Sequence, residues 1–220
     1  YWVGSDCLWA THHEASRRFA LALDHLGVIN LAVAEHLVDE LADIGVNARY
    51  TPIITPNISS LAKPHPLPNQ FTVLCYLPTI KREFYGGPIL DRLIDEMPDV
   101  RFIVLCDEST DYIQRPNVES LGYVEDLERT IGRSTVHVRP TMHDGMPRLI
   151  LEMLSHGRHA ISWQPYPHCI HATDYEATTQ ALLKMKSKID FNLAGREHVC
   201  EHFETKRTAG ILYEHFQNEC

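Results

Sequence analysis

The chain has 220 residues, enough for one large domain or two small ones, and its 44% hydrophobic and 22% charged residues are ordinary for a globular protein. The formal net charge is -9, from 20 basic and 29 acidic residues. This balance disfavours duplex nucleic acid as a partner, because phosphate binding needs clustered Lys and Arg. No apolar run approaches the roughly 18 residues of a membrane span, and no signal peptide opens the chain.

The six cysteines show no spacing typical of a disulfide framework. None forms a C-x-x-C pair, and Cys75 and Cys106 lie in apolar, strand-like runs where a reduced thiol behaves as a small hydrophobe. This pattern favours a reducing compartment. We therefore expect a cytoplasmic protein, and peripheral attachment to the inner face of a membrane stays open.

The first 54 residues alternate predicted strands and helices. Helical spacing of Phe19, Ala22 and Leu26 predicts a helix, and the continuous apolar run 28–33 predicts a buried strand. In chain order we predict a strand at 1–4, a helix at 12–26, a strand at 28–33, a helix at 35–44 and a strand at 48–54. We interpret residues 1–4 as the continuation of a strand that begins upstream, so we expect a longer protein with further residues before Tyr1.

Residues 55–70 interrupt this alternation with four prolines, which make the stretch stiff and extended and predict a linker. The alternation then resumes over 71–220. Here we predict strands at 71–76, 101–106, 118–121, 135–139 and 160–163, helices at 89–97, 125–131 and 147–156, and only helices from 174 onward.

Strands alternating with helices indicate an α/β fold, with a parallel sheet covered on both faces. Two such stretches joined by a proline-rich linker predict two Rossmann-like domains. The first, at 1–54, is incomplete, and the second, at 71–220, is complete.

The stretch from 136 to 156 carries the strongest chemical signal. A predicted strand ends at Arg139, a loop with Asp144 and Gly145 follows, and Pro147 suits the first position of a helix because its missing N–H is not needed there. Free N–H groups at a helix start attract anions, and Gly145 lets a ligand approach the backbone closely. The loop follows the carboxyl end of a strand, where open α/β sheets bind ligands.

A simpler interpretation of the same residues stays open. Arg148 and Glu152, spaced i, i+4, form a surface ion pair in it, on the helix side opposite a buried face of Leu149, Ile150, Met153 and Leu154. Asp144 and Gly145 are then only a turn. From the spacing alone, the two interpretations are about equally favoured.

This stretch resembles the donor-site signature of GT-B glycosyltransferases of the family-4 type. In that signature, seven residues separate two acidic residues, as they separate Asp144 from Glu152, and Gly145 and Pro147 stand at the matching positions. The likeness covers roughly 71–218 in order and, more weakly, 1–54. There the opening residues 1–6 resemble the end of the N-terminal, acceptor-side domain.

The resemblance implies roles for named residues. Glu152 would bind the donor ribose, Asp144 would contact the transferred sugar, and the backbone of Gly145, Met146, Pro147 and Arg148 would hold sugar and phosphate. His143 would lie beside the sugar, although a solvated loop histidine fits it equally well. Arg139, at the end of the strand before the loop, joins the donor-binding set.

The chain departs from the family pattern at three places. The first acidic residue is Asp144, where the family usually has Glu, and Tyr85 stands where the family usually has a Lys that neutralises the diphosphate. Lys81 and Arg82 are the cations nearby and are expected to replace it, unless they are merely solvated loop charges. The loop after Ser162 is shorter than usual for the family.

The resemblance implies transfer of a sugar from a UDP- or GDP-sugar to a hydroxyl of a glycan, a lipid-linked or a small-molecule acceptor. It also implies retention of the anomeric configuration, with no cofactor and no essential metal. No metal site is predicted, since the His198 and His202 pair, spaced i, i+4, has no evident third ligand. A nucleotide-sugar epimerase and a non-catalytic binding module are the rival hypotheses.

Overall fold

The computed structural model describes residues 1–55, 58, 64–106 and 115–217. Residues 56, 57 and 59–63 of the predicted linker lie outside the described residues, as does Cys220. The chain divides into two compact units. The first contains Tyr1–Ser59, His143–Arg148 and Glu201–Cys220, and the second contains Ser60–Met142 and Leu149–Cys200.

The first unit is built on a small parallel sheet. Its elements are α1 (Ser5–His12), α2 (Glu14–His25), β1 (Asn30–Ala32), α3 (Glu35–Asp43), β2 (Ala48–Tyr50) and α9 (Thr205–Gln217). The strands β1 and β2 pair in parallel, and Trp2 bridges to Ala32 on β1. Leu37 and Leu41, one turn apart on α3, are fully buried and give that helix its apolar face.

The second unit is a doubly wound α/β domain. Its strands are β3 (Thr72–Tyr76), β4 (Arg101–Leu105), β5 (Val118–Gly122), β6 (Val136–Arg139), β7 (His159–Ser162) and β8 (Ile170–His171). Its helices are α4 (Gly87–Glu96), α5 (Leu127–Gly132), α6 (Arg148–Ser155), α7 (Tyr175–Lys186) and α8 (Leu193–His202), although α6 starts one residue earlier than this unit resumes.

The six strands of the second unit run in parallel in the order β5-β4-β3-β6-β7-β8. The central strands β3 and β6 are buried along almost their whole length because helices cover both faces. One cluster of buried side chains packs on one face around Phe102 and Leu90, and another packs on the other face around Leu74 and Met153. From β3 the chain continues to β4 and β5 in one half of the sheet. From β6 it continues to β7 and β8 in the other half.

The fold class that the sequence predicts is confirmed. Every predicted strand and helix has an observed counterpart except the strand at 1–4, where Trp2 forms only an isolated bridge to Ala32. Two elements were not predicted. Helix α1 buries only the small residues Cys7 and Ala10, so it has no apolar stripe, and β8 is a two-residue exposed strand. The predicted domain boundaries stay a prediction, and the two units differ from them by grouping 143–148 and 201–220 with the N-terminal residues.

None of the helices in the described part of the chain combines the length and apolar character that crossing a bilayer requires. The five cysteines that the structure describes are all free thiols, and Cys7 and Cys75 are buried. Burial raises the pKa of Cys75, which keeps it protonated and unreactive.

Candidate functional site

The carboxyl ends of β3 and β6 lie side by side at the centre of the second unit's sheet. Val73 pairs with Val136 and Cys75 with Val138, so both strands end at the same edge. The connections leave these two strands in opposite directions, which makes this edge the topological switch point of the sheet. Open α/β sheets bind ligands in the crevice at such a point.

Arg139 places a buried cation at this edge. It is the last residue of β6 and is only 9% exposed. Its guanidinium lies 5.0 Å from the ring centre of Tyr76 and 5.5 Å from that of Tyr85. The two rings meet edge to face, with centroids 5.6 Å apart, and give the cation a partly desolvated, π-rich surrounding. A cation with little water around it attracts an anionic ligand more strongly than an exposed one does.

The loop after β3 packs directly on the end of β6. The Met142 amide donates to the Phe84 carbonyl at 3.0 Å. Gly86 has φ +78°, and a Cβ at this position would lie 2.4 Å from the carbonyl oxygen of Pro140. Only glycine allows this approach, which brings the start of α4 beside the switch point.

Lys81 and Arg82, the two predicted loop cations, differ in their surroundings. Lys81 is exposed and adopts a left-handed backbone with φ 61°. Both terminal nitrogens of Arg82 donate to the carboxylate of Asp91, at 2.8 and 2.7 Å, in a bidentate pair that fastens the loop to α4. Lys81 is therefore the more accessible phosphate ligand, and the phosphate-binding roles of both cations stay predictions.

Glu152 is buried, which differs from the predicted exposed side of its helix. All residues of α6 from Leu149 to Ser155 are buried, and Glu152 is 8% exposed. The helix starts at the exposed Arg148 and then runs into the core, where it is covered on every side. An exposed ion pair with Arg148 therefore does not describe Glu152. A carboxylate this deep suits specific hydrogen bonding to a ligand hydroxyl.

The loop His143–Arg148 belongs to the first unit, where α3 holds it in place. The side chain of His143 is 10% exposed, and its Nε2 lies 2.9 Å from a carboxylate oxygen of Glu40. Burial opposes ionisation of Glu40, but hydrogen bonds with His143 and Cys7 outweigh it and lower the pKa of the carboxyl. The interpretation of His143 as a solvated loop histidine does not fit, because the side chain is only 10% exposed and pairs with Glu40.

Asp144 and Gly145 are shaped by contacts inside the first unit. Nε2 of His36 lies 2.9 Å from the Asp144 carbonyl oxygen, and the Gly145 amide donates to Oδ1 of Asp144 at 3.0 Å. A Cβ on Gly145 would lie 2.3 Å from the carbonyl oxygen of Val3. The absent side chain thus makes room for the backbone at Val3. Met146 and Pro147 are buried and Arg148 is exposed, and the donor-binding roles of all these residues stay predictions.

Sequence reasoning missed the partners of these residues. Tyr76, Glu40 and His36 each lie far along the chain from the residue they contact, so no local pattern marks them. Asp91 lies only nine residues after Arg82, but on the helix that follows the loop. The strand order could have pointed to Tyr76, since it ends the strand next to Arg139.

Comparison with solved structures relates this fold to glycosyltransferases. Sucrose-phosphate synthase from Thermosynechococcus elongatus superposes with a TM-score of 0.76 at 17% identity, over 96% of this chain and 64% of its own. TarM from S. aureus, solved as a mutant with fondaparinux, alpha-GlcNAc-glycerol and UDP, gives 0.75 at 12% identity, over 91% of this chain and 46% of its own. HepE from Anabaena, with UDP and glucose, gives 0.72 at 11% identity, over 93% and 67%.

The chain has a GT-B fold. At these identities the likeness shows the fold and no more, and the chain spans about half of the length of TarM. No protein-family model matches the chain, and no curated protein does.

Proposed function

We propose that this chain binds a nucleotide sugar and forms the donor-binding part of a glycosyltransferase, which transfers the sugar to a hydroxyl acceptor. The observation that carries the proposal is the buried cation of Arg139 at the switch point of a GT-B sheet. TarM and HepE, which share the fold, were solved with UDP, so UDP is the first nucleotide to test and GDP the second.

In this proposal the residues of the second unit bind the nucleoside diphosphate. Arg139 and Lys81 neutralise the diphosphate, together with the positive end of the α4 dipole, and stabilise the charge that develops as the diphosphate departs. Arg139 thereby supplies the positive charge that is missing at position 85, where Tyr85 replaces the usual Lys. Arg82 keeps the loop attached to α4 through Asp91, and its positive charge adds to the field. Glu152 accepts hydrogen bonds from the ribose.

The proposed roles of the loop residues 143–148 rest on the resemblance to the family signature. Asp144 contacts hydroxyls of the transferred sugar, and His143 and residues 145–148 contact the sugar and the phosphate. We further propose retention of configuration and transfer without an essential metal. The acceptor is a glycan, a lipid-linked or a small-molecule hydroxyl. The reaction takes place in the cytoplasm and is a step in polysaccharide or glycan synthesis.

Calorimetric titration with UDP, GDP, ADP and their sugar conjugates tests the donor site. We expect saturable binding of one nucleotide by the wild-type chain. Glu152→Gln and Arg139→Met should each weaken it by about ten- to a hundredfold, since a lost hydrogen bond to a charged group costs about 1.5–3 kcal/mol. Arg139→Lys should restore part of the loss.

Glu119→Gln is the matched control. It removes a carboxylate of the same sheet that is 26% exposed and pairs with Arg101 and Arg133 away from the switch point. Its affinity for UDP should equal that of the wild-type chain. Nucleotide binding that survives both Glu152→Gln and Arg139→Met would place the ligand elsewhere and overturn the assignment.

A non-catalytic binding module is the second candidate, and one observation favours it. Tyr85 replaces the usual cation, and Arg82 is already engaged by Asp91. Turnover of the donor by the longer protein separates the candidates. Transfer to an acceptor supports the enzyme, formation of an epimer supports an epimerase, and binding without turnover supports the module.

A further inference from the structure

A cluster of two histidines and a glutamate lies in the second unit, and the donor site uses none of its members. His65 lies in the stretch before β3, Glu128 lies in the first turn of α5, and His156 follows the end of α6. One ligand atom from each residue lies within 4.8 Å of the other two. Nε2 of His65 is 3.2 Å from Oε1 of Glu128. Three distant segments thus bring metal-binding side chains to one place.

His156 is the buried member of the cluster. It is 9% exposed, and its Nδ1 is buried without a hydrogen-bond partner among the described residues. A buried polar atom normally has a partner, because leaving it without one costs about 1–3 kcal/mol. A metal ion bound by this nitrogen would remove the cost.

The spacing of the cluster suits a tetrahedral ion. Ligand bonds of about 2.0–2.1 Å put neighbouring ligand atoms about 3.4 Å apart around a tetrahedral zinc. The 3.2 Å separation of His65 and Glu128 is close to this value. The two imidazole rings are stacked, with centroids 5.2 Å apart and planes within 18°, so one ring must turn to aim its nitrogen at a shared ion. His65 is 39% exposed and can turn, since the χ2 torsion of histidine is broad.

The surroundings of the cluster leave an approach for an ion. His65 and Glu128 line an open cavity of ≈ 370 Å³ together with Asp126 and Arg129, so water and an ion can reach them. The Asp126 carboxylate, which caps α5, offsets the Arg129 charge.

We propose that His65, Glu128 and His156 bind one divalent transition-metal ion of the zinc class, with water in the fourth position. A set of two imidazoles and one carboxylate suits zinc. Magnesium and calcium take oxygen ligands instead. The ion links the stretch before β3 to α5 and to the end of α6. Its role is structural and separate from sugar transfer.

The proposal is tested by titrating the tag-free protein with zinc chloride, by calorimetry and by thermal unfolding with and without EDTA. We expect one tight equivalent and a rise in Tm that EDTA reverses. His65→Gln and Glu128→Gln should each lower the zinc affinity at least tenfold and abolish the Tm shift. Both residues are substantially exposed, so the variants should fold, and circular dichroism checks this.

Matched controls are His171→Gln and Glu125→Gln, which remove an exposed histidine and an exposed acid of the same unit. Both should bind zinc as the wild-type chain does. X-ray absorption of the zinc-bound wild-type protein should count two imidazole ligands. The absence of zinc binding, equal binding by all variants, or sulfur ligands at the zinc would each overturn the site. UDP binding by His65→Gln should be unchanged, so failure of this proposal and failure of the donor site are told apart.

Discussion

At the scale of single residues, Gly86 decides how closely the loop after β3 approaches the end of β6. It has a positive φ, and the atoms of Pro140 occupy the space that a side chain would need. An L-residue would be strained twice there, by its backbone conformation and by the contact. This one position therefore maintains the geometry around Arg139.

We predict that Gly86→Ala lowers the free energy of unfolding by about 2–4 kcal/mol, because left-handed strain and overpacking add. It should also weaken UDP binding. Gly210→Ala is the control, since a Cβ there meets nothing within 4 Å and the residue lies in α9, where alanine favours the helix. Urea unfolding measures both. An unchanged stability of Gly86→Ala would show that the loop can move away from Pro140 without cost.

His137 is a second residue with a specific consequence. It is completely buried on β6, and its Nδ1 lies 2.9 Å from the Leu74 carbonyl oxygen. Burial, followed by the charge of Arg139, lowers its pKa to about 3. The unfolded chain binds a proton near pH 6.5, whereas the folded protein does not until about pH 3.

The stability linked to His137 is therefore fully present above about pH 6.5 and is lost as the pH falls toward 3. We predict that Tm falls between pH 7 and pH 5 and falls less steeply in His137→Leu. Differential scanning fluorimetry across this range measures it. Parallel Tm profiles for the two proteins would contradict the prediction.

At the scale of secondary-structure elements, Arg158 joins the start of β7 to α5 and to the stretch before β3. The side chain is fully buried and donates to the carbonyl oxygens of Ile131, Gly132, His65 and Pro66. Burial lowers the pKa of its guanidinium, although the group stays charged. The arginine thus satisfies carbonyl groups that no strand or helix pairs.

Arg158→Met should keep the volume of the side chain but remove the donor that these carbonyls share, although the Ile131 carbonyl keeps the Ser134 amide. We predict a loss of about 2–5 kcal/mol in the free energy of unfolding. The comparison is Arg92→Met, which removes an exposed pair with Glu96 and should cost far less, because water screens that pair. Equal losses in the two variants would show that the carbonyls find water instead.

At the scale of the whole molecule, nucleotide binding should raise the stability of the folded chain. A ligand that binds only the folded state stabilises it by about 2.7 kcal/mol at a hundred times its Kd. We predict a rise in Tm with UDP that follows its concentration and is smaller in Glu152→Gln at each concentration. Thermal unfolding over a series of UDP concentrations measures this, and a rise of equal size in the variant would exclude Glu152 from the site.

Much of the fold could be predicted because its elements carry strong local patterns. The apolar runs that became β3 and β4 and the proline start of α6 were predicted to within a residue or two at each end. Helix α1 was missed because its buried positions are the small residues Cys7 and Ala10. The cluster of His65, Glu128 and His156 was missed because its members are far apart in sequence.

The sequence by itself determined the α/β class, the order of the elements and the position of the loop that bears Asp144, because hydrophobic period, proline and glycine act locally. Only the tertiary structure decided that Arg139 is buried between Tyr76 and Tyr85, that Arg82 is engaged by Asp91 and that Glu152 is enclosed. These properties depend on which strands become neighbours and which helices cover them. Such contacts between distant residues are set by packing of the whole sheet, which no short stretch of sequence encodes.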